Sequence, residues 1–241
     1  MGLLLAVFGM NAMAQTAPES PYYSRVNTFG ILASYSNDSS EILLGGAQNR
    51  KLLNIGGLYS RRLLQNRAVN WQYTAEVLPV ALESDPVAHM TTTLVSPTMI
   101  TFPTLTETPI GACKDESGKY SVVAQGVTYQ YTFVQTCGRR WTIGEGISPV
   151  GFQWNFRPRH KLQLLLLGHG GYMYSTQPIP TSDAGSFNFT FDIGAGFELY
   201  RNKAQSIRFD YRYHHISNHY TAQANPGIDN QLVTVTYAFG R

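Results

Sequence analysis

The chain has 241 residues, of which only 14% are charged, and a formal net charge of +3. It shows no basic cluster, so the electrostatic footprint of a nucleic-acid partner is missing. No run of about 18 apolar residues occurs after the N-terminus, so no transmembrane helix is expected.

Residues 3–10, Leu-Leu-Leu-Ala-Val-Phe-Gly-Met, form a short apolar run, and Ala12-Met13-Ala14 supplies a small-residue cleavage pattern before Gln15. The segment reads as a secretory signal peptide over 1–14, without the usual basic flank, leaving 15–241 as one domain. The alternative is an ordinary buried N-terminal strand or helix. Alternation of polar and apolar residues then begins, weakly at 25–36 and 50–63. It is clear at 70–79, where Trp71, Tyr73, Ala75 and Val77 alternate with Asn70, Gln72, Thr74 and Glu76.

Residues 83–143 break the pattern. They hold Pro86, Pro97, Pro103 and Pro109, many threonines, and both cysteines. An extra hairpin is expected over 119–135. The region reads as a long loop insertion between the third and fourth strands. In a barrel with both termini in the periplasm it lies outside the cell, where long loops belong. Cys113 and Cys137 are an even pair in an exported chain, which predicts a disulfide. Zinc would need more ligands at closer spacing.

Alternation resumes with Phe152, Trp154 and Phe156, runs weakly through 160–175, and becomes long and regular at 187–199. In residues 208–218, Arg208, Asp210, Arg212 and His214 share one parity, while Phe209, Tyr211, Tyr213, His215 and Ser217 share the other. Asn225-Pro226-Gly227 marks a turn. A last strand carries Val233, Val235, Tyr237 and Phe239 on one face. Phe239-Gly240-Arg241 nearly supplies the terminal aromatic expected of outer-membrane barrels.

Side chains of a strand point alternately to opposite faces. Eight such segments, without a helical pattern, predict an all-β fold: an eight-stranded antiparallel transmembrane β-barrel of the outer-membrane type. Such a barrel is only wide enough for side chains, so its interior should be a packed polar core of Arg, Asp and Glu. The soluble alternative, a lipocalin-like barrel, inverts the faces. The export signal, the strand lengths, 15 Tyr and 12 Phe favour aromatic residues outside.

A histidine and a serine at the end of an aromatic face place a base and a nucleophile against lipid. His215 and Ser217 share that face, and a hairpin can bring Asp229 beside His215. Serine needs a base to take its proton, and the base works best when a third group fixes its tautomer. Ser217, His215 and Asp229 fit these roles. Two alternatives stand beside this: an interfacial histidine with no chemistry, and a metal site from His214, His215 and His219. The second is disfavoured because His214 faces the other way.

The run His215-Ile216-Ser217-Asn218, followed by Asn225-Pro226-Gly227-Ile228-Asp229, resembles the signature of the PagL family of lipid A 3-O-deacylases. The motif covers about residues 209–230. The resemblance implies an eight-stranded outer-membrane barrel that hydrolyses an acyl ester of lipid A in lipopolysaccharide, with no cofactor and no metal. His215 is then the general base, Ser217 the nucleophile, and Asn218 an oxyanion-hole residue. Asp229 stands where the family has Glu, and Tyr220 where it has a glycine three residues after the serine. Arg139, Arg140 and the loop lysines are candidates for contacts to lipid phosphates. A homodimer is left open. A small outer-membrane barrel with a structural or adhesion role is the competing class, and a soluble lipid-binding barrel a third.

Overall fold

The computed structural model describes residues 21–241. The expected signal peptide over 1–14 lies outside the described residues. The strands are β1 (Asn27–Ser36), β2 (Lys51–Gln65), β3 (Val69–Ser96), β4 (Ile100–Thr101), β5 (Leu105–Glu107), β6 (Glu116–Ala124), β7 (Val127–Phe156), β8 (Leu162–Ser175), β9 (Phe187–Tyr200), β10 (Gln205–Ser217) and β11 (Ile228–Gly240). Eight of them, β1, β2, β3, β7, β8, β9, β10 and β11, pair antiparallel in chain order. β11 then pairs with β1, from Thr28↔Gly240 to Tyr35↔Val233, and closes the barrel.

The faces separate as the alternation demands. Phe29, Ile31, Ile193, Phe209, Tyr211, Val233 and Val235 are exposed on the outside. Inside, Arg212 grips Glu76 with two bonds of 3.0 Å, and Arg25 meets Glu198 at 2.6 Å. Arg208 meets Asp210 at 3.1 Å. His169 bonds Asp192 through Nδ1 and Thr74 through Nε2, each at 2.9 Å. A polar interior within an apolar shell fits a solvent of hydrocarbon, where every backbone group must pair within the sheet. Strands of 13 residues (β10, β11) extend roughly 43 Å, and a tilt of about 45° brings that to the thickness of a bilayer's hydrocarbon core.

The 83–143 region differs from the loop expected of it. β3 continues to Ser96 and β7 starts at Val127, so the two barrel strands run on as a protruding hairpin, paired as far as Ser96↔Gln130. β4 and β5 lie along the β3 edge and β6 along the β7 edge. β6 and the start of β7 form the extra hairpin, turning at Gln125 and Gly126. Pro86 is absorbed into β3, opposite Arg139, whereas Pro97, Pro103 and Pro109 lie outside the strands, Pro97 directly after the last residue of β3. Along β3, residues 83–87 are buried on both faces and residues 88–93 are mostly half-buried on both, so burial imposes no apolar–polar alternation, and threonine pairs such as Thr91–Thr104 (2.8 Å) line the outer part. A disulfide joins Cys113 to Cys137, with the Cα atoms 5.8 Å apart, and fastens the segment after β5 to β7.

Candidate active site

β10 ends at Ser217 on the side of the barrel opposite the termini, the extracellular side in this topology. Odd residues of β10 face outward, so His215 and Ser217 stand on the lipid-facing wall as the parity predicts. They line a groove with Phe189, Thr190, Phe191 and His219. The Phe191 ring lies 5.9 Å from that of His215. The groove is therefore aromatic on one side and carries the hydroxyl and the imidazole on the other.

Asp229 sits directly opposite His215 in the β10–β11 ladder. Direct pairing brings the side chains close, and His215 Nδ1 is 2.7 Å from Asp229 Oδ1. The shorter Asp spans the gap because the backbones are paired at that rung. The same oxygen accepts from Tyr213 Oη at 2.8 Å. The other, Oδ2, accepts the backbone N–H groups of Leu43 and Leu44 at 2.8 and 2.9 Å. Asp229 is fully buried although it lies on the outward face, because the loop between β1 and β2 lies over it. Four donors converge on one carboxylate, an arrangement that stabilises its ionised form.

Gly45 makes this covering possible. A Cβ on Gly45 would meet the Asp229 backbone nitrogen at 2.5 Å, so any side chain there would push the loop away. Beyond it, Gly46 N–H bonds Pro226 O at 2.6 Å and Ala47 N–H bonds Gly227 O at 3.0 Å. The loop thus docks along the 226–229 segment. Neither Tyr213 nor the Leu43–Gly45 backbone is expected at the site from the sequence. Tyr213 was signalled by its shared parity with His215. For the loop, the adjacent Gly45-Gly46 pair was the available clue.

Ser217 is held differently from expectation. Its hydroxyl donates to Asn225 Oδ1 at 3.0 Å and accepts the His219 N–H at 3.2 Å, so its bond is to Asn225 rather than to His215. Hydrogen bonds between such groups are often long or misaligned until substrate is bound. Asn225, expected as a turn residue within the family-like motif and given no role at the site, therefore positions the serine. Asn218, expected as an oxyanion donor, has its side chain committed to the loop. Its Nδ2 donates to Ala224 O at 2.7 Å and its Oδ1 accepts the Tyr220 N–H at 2.9 Å. It is 1% exposed.

The loop after Ser217 turns through two successive left-handed residues, His219 (φ 50°) and Tyr220 (φ 59°). A tyrosine in that region costs roughly 1 kcal/mol, which glycine avoids. The Tyr220 side chain is 79% exposed, so its burial returns little of that cost. Tyr220→Gly is expected to stabilise the 218–225 loop by about 1 kcal/mol, read as slower amide hydrogen exchange in that segment. Unchanged or faster exchange would show that the tyrosine conformation carries no strain.

The alternative histidine metal site does not assemble. His214 points into the lumen, 3.8 Å from Asp192, away from His215 and His219. Glu76, His169 and Asp192 do converge in the lumen. Their ligand atoms are engaged by Arg212, Thr74 and one another, which gives the cluster the character of an ion-pair core. Arg139 and Arg140 are likewise occupied. Arg139 bonds Ser84 and Asn49, and Arg140 bonds Asp85 at 2.7 Å, so these guanidinium groups bind protein at the barrel rim rather than standing free for phosphate.

Residues 111–238 match the family model described as lipid A 3-O-deacylase (PagL). That span is more than half of the chain and contains His215, Ser217 and Asp229 together. The chain belongs to the PagL family. It is an outer-membrane β-barrel of a family of lipid A ester hydrolases whose substrate is lipopolysaccharide. No curated protein sequence matches it. Among solved structures it is similar to Neisserial surface protein A, with 9% identity, 89% of this chain and 97% of that one covered, and a TM-score of 0.42. It is also similar to OprG from Pseudomonas aeruginosa (10% identity, 92% and 99% covered, TM-score 0.37). LpxR from Salmonella typhimurium gives 7% identity, 89% and 100% coverage and a TM-score of 0.25. These likenesses are loose. The PagL match carries the family, and the strand pairing carries the fold.

Proposed function

We propose that this PagL-family barrel is a serine esterase that cleaves the 3-O-acyl ester of lipid A within the outer leaflet. The observation that supports this most is the Asp229–His215 pair beside Ser217 on the lipid-facing wall. Asp229 holds His215 Nδ1, which leaves Nε2 for proton transfer. The Ser217 hydroxyl rotates from Asn225 toward that nitrogen and loses its proton to it. Oγ attacks the ester carbonyl, whose π electrons move onto oxygen. The backbone N–H of His219, which points at Oγ, serves as a donor to that oxyanion. Asn218 acts through the loop it ties together and keeps that N–H in place.

Collapse of the tetrahedral adduct breaks the bond to the sugar oxygen, which takes the proton from His215. An acyl-serine remains. Water, deprotonated by His215, attacks it, and the fatty acid leaves as Ser217 regains its proton. The reaction requires no cofactor. The substrate reaches Ser217 by lateral movement in the leaflet, because the groove opens on the barrel wall.

Covalent labelling tests the mechanism. A long-chain alkyl fluorophosphonate is expected to form one adduct on the peptide containing Ser217, and none in Ser217→Ala. Labelling elsewhere, or equal labelling of both proteins, would contradict a serine nucleophile at this position.

A further inference from the structure

Ile42, Leu43 and Leu44 are three consecutive apolar side chains, exposed by 36%, 72% and 63%, in the loop between β1 and β2. A water-facing loop normally carries polar residues there. The backbone of the two leucines explains their placement. The N–H groups of Leu43 and Leu44 bond a carboxylate that projects from the outer face of the barrel. The loop is therefore folded down over the wall rather than across the barrel mouth. Its side chains leave the protein on the lipid side. They continue the apolar belt formed by Tyr35 of β1 and Val233 of β11, both exposed.

We infer that Ile42–Leu44 is a hydrophobic lip that inserts among the acyl chains of the outer leaflet, so that lipid packing holds in place the amides that orient Asp229. The occupant is the acyl region of the surrounding lipid. The continuity of the lip with the membrane-facing belt fixes that choice. Physically, the segment has two attachments. On its inner side it is held by the Asp229 carboxylate and by Gly46 and Ala47 bonding Pro226 and Gly227. On its outer side no described residue buries it, and burying two leucines and an isoleucine in lipid there is strongly favourable. In water or sparse detergent the outer attachment is lost. The lip is then free to lift, and Asp229 loses two of its four donors. The site is thereby coupled to a packed leaflet. This coupling rests on the esterase reading above, whereas the insertion itself does not.

Spin labelling separates the two. Both native cysteines are in the disulfide, so Leu43→Cys gives a single free thiol. A nitroxide there, in vesicles of phosphatidylethanolamine and phosphatidylglycerol, is expected to collide more with oxygen than with a water-soluble nickel chelate. A label at Gln125→Cys, in the exposed turn between β6 and β7, should show the reverse. Preferential collision with nickel at position 43 would overturn the insertion, whatever the enzyme's activity.

The coupling has its own readout. In Leu43→Ser/Leu44→Ser, which keeps both backbone amides, the ratio of the lipid A rate in vesicles to the rate on a water-soluble short-chain ester in dilute detergent, where the lip is loose in both proteins, should fall by at least about tenfold. An unchanged ratio would overturn the coupling. If wild type hydrolyses neither ester, the esterase reading fails, and the spin label still reports on the lip.

Discussion

Asp229→Asn is expected to lower lipid A deacylation by about 10³–10⁴-fold while leaving the barrel folded. The argument is one of donors and acceptors. Asp229 accepts on both oxygens, from His215 and Tyr213 on one and from the Leu43 and Leu44 amides on the other. Asparagine has one acceptor and one donor. If its oxygen faces His215, its NH₂ meets the two loop amides, donor against donor. If its oxygen faces the amides, its NH₂ meets His215 Nδ1, which must then be an acceptor. The proton moves to Nε2, the wrong tautomer for a base. Either way the site loses its base or its lip. Initial rates on purified lipid A, beside a check of heat-modifiable gel migration, measure the effect. A loss under about tenfold would mean that Asp229 does not orient the base.

Asp229→Glu adds the methylene that would bring the chain to the family's usual residue, and is nevertheless expected to lower activity. The carboxylate already meets His215, Tyr213 and the Leu43 and Leu44 amides at 2.7–2.9 Å, and an added methylene would carry both oxygens out of register with those donors.

Arg212→Met carries the largest expected effect on stability, about 3–5 kcal/mol. Arg212 binds both oxygens of Glu76 and lies 3.6 Å from Asp192, with all three side chains buried. Methionine fills much of the volume but leaves buried carboxylates without their principal counter-charge. Removing one partner of a buried ion pair costs far more than the pair contributes. The urea midpoint for conversion of the folded to the unfolded gel band should fall clearly in lipid vesicles. An unchanged midpoint would mean that Arg208, His169 and lumenal polar groups can compensate, and that the core is not organised around Arg212.

The barrel was legible where one face must differ from the other. β9 and β10 alternate so regularly that their lumenal and lipid faces can be assigned residue by residue, and Arg212, Asp210, His214 and His215 lie where parity puts them. The protruding extension of β3 and β7 was not legible as strand. Residues 83–87 are buried on both faces and residues 88–93 are mostly half-buried on both, so neither stretch alternates, and Thr91-Thr92-Thr93 and the embedded Pro86 read as loop. The site was half legible. The rung that pairs His215 with Asp229 follows from hairpin register. The cover from Leu43 and Leu44 does not, because backbone amides leave no signature in side-chain identity. The cost at Tyr220 was visible only as a departure from glycine, and the backbone angle gives the departure its meaning.

Mass spectrometry of lipid A, after incubation with the refolded protein and with Ser217→Ala, tests the central claim most directly. The account predicts that wild type alone removes one acyl chain, with a mass loss equal to a 3-O-linked hydroxy fatty acid less water. Loss of the same chain with Ser217→Ala, or no change with a wild-type protein whose folding is confirmed by gel migration, would contradict it.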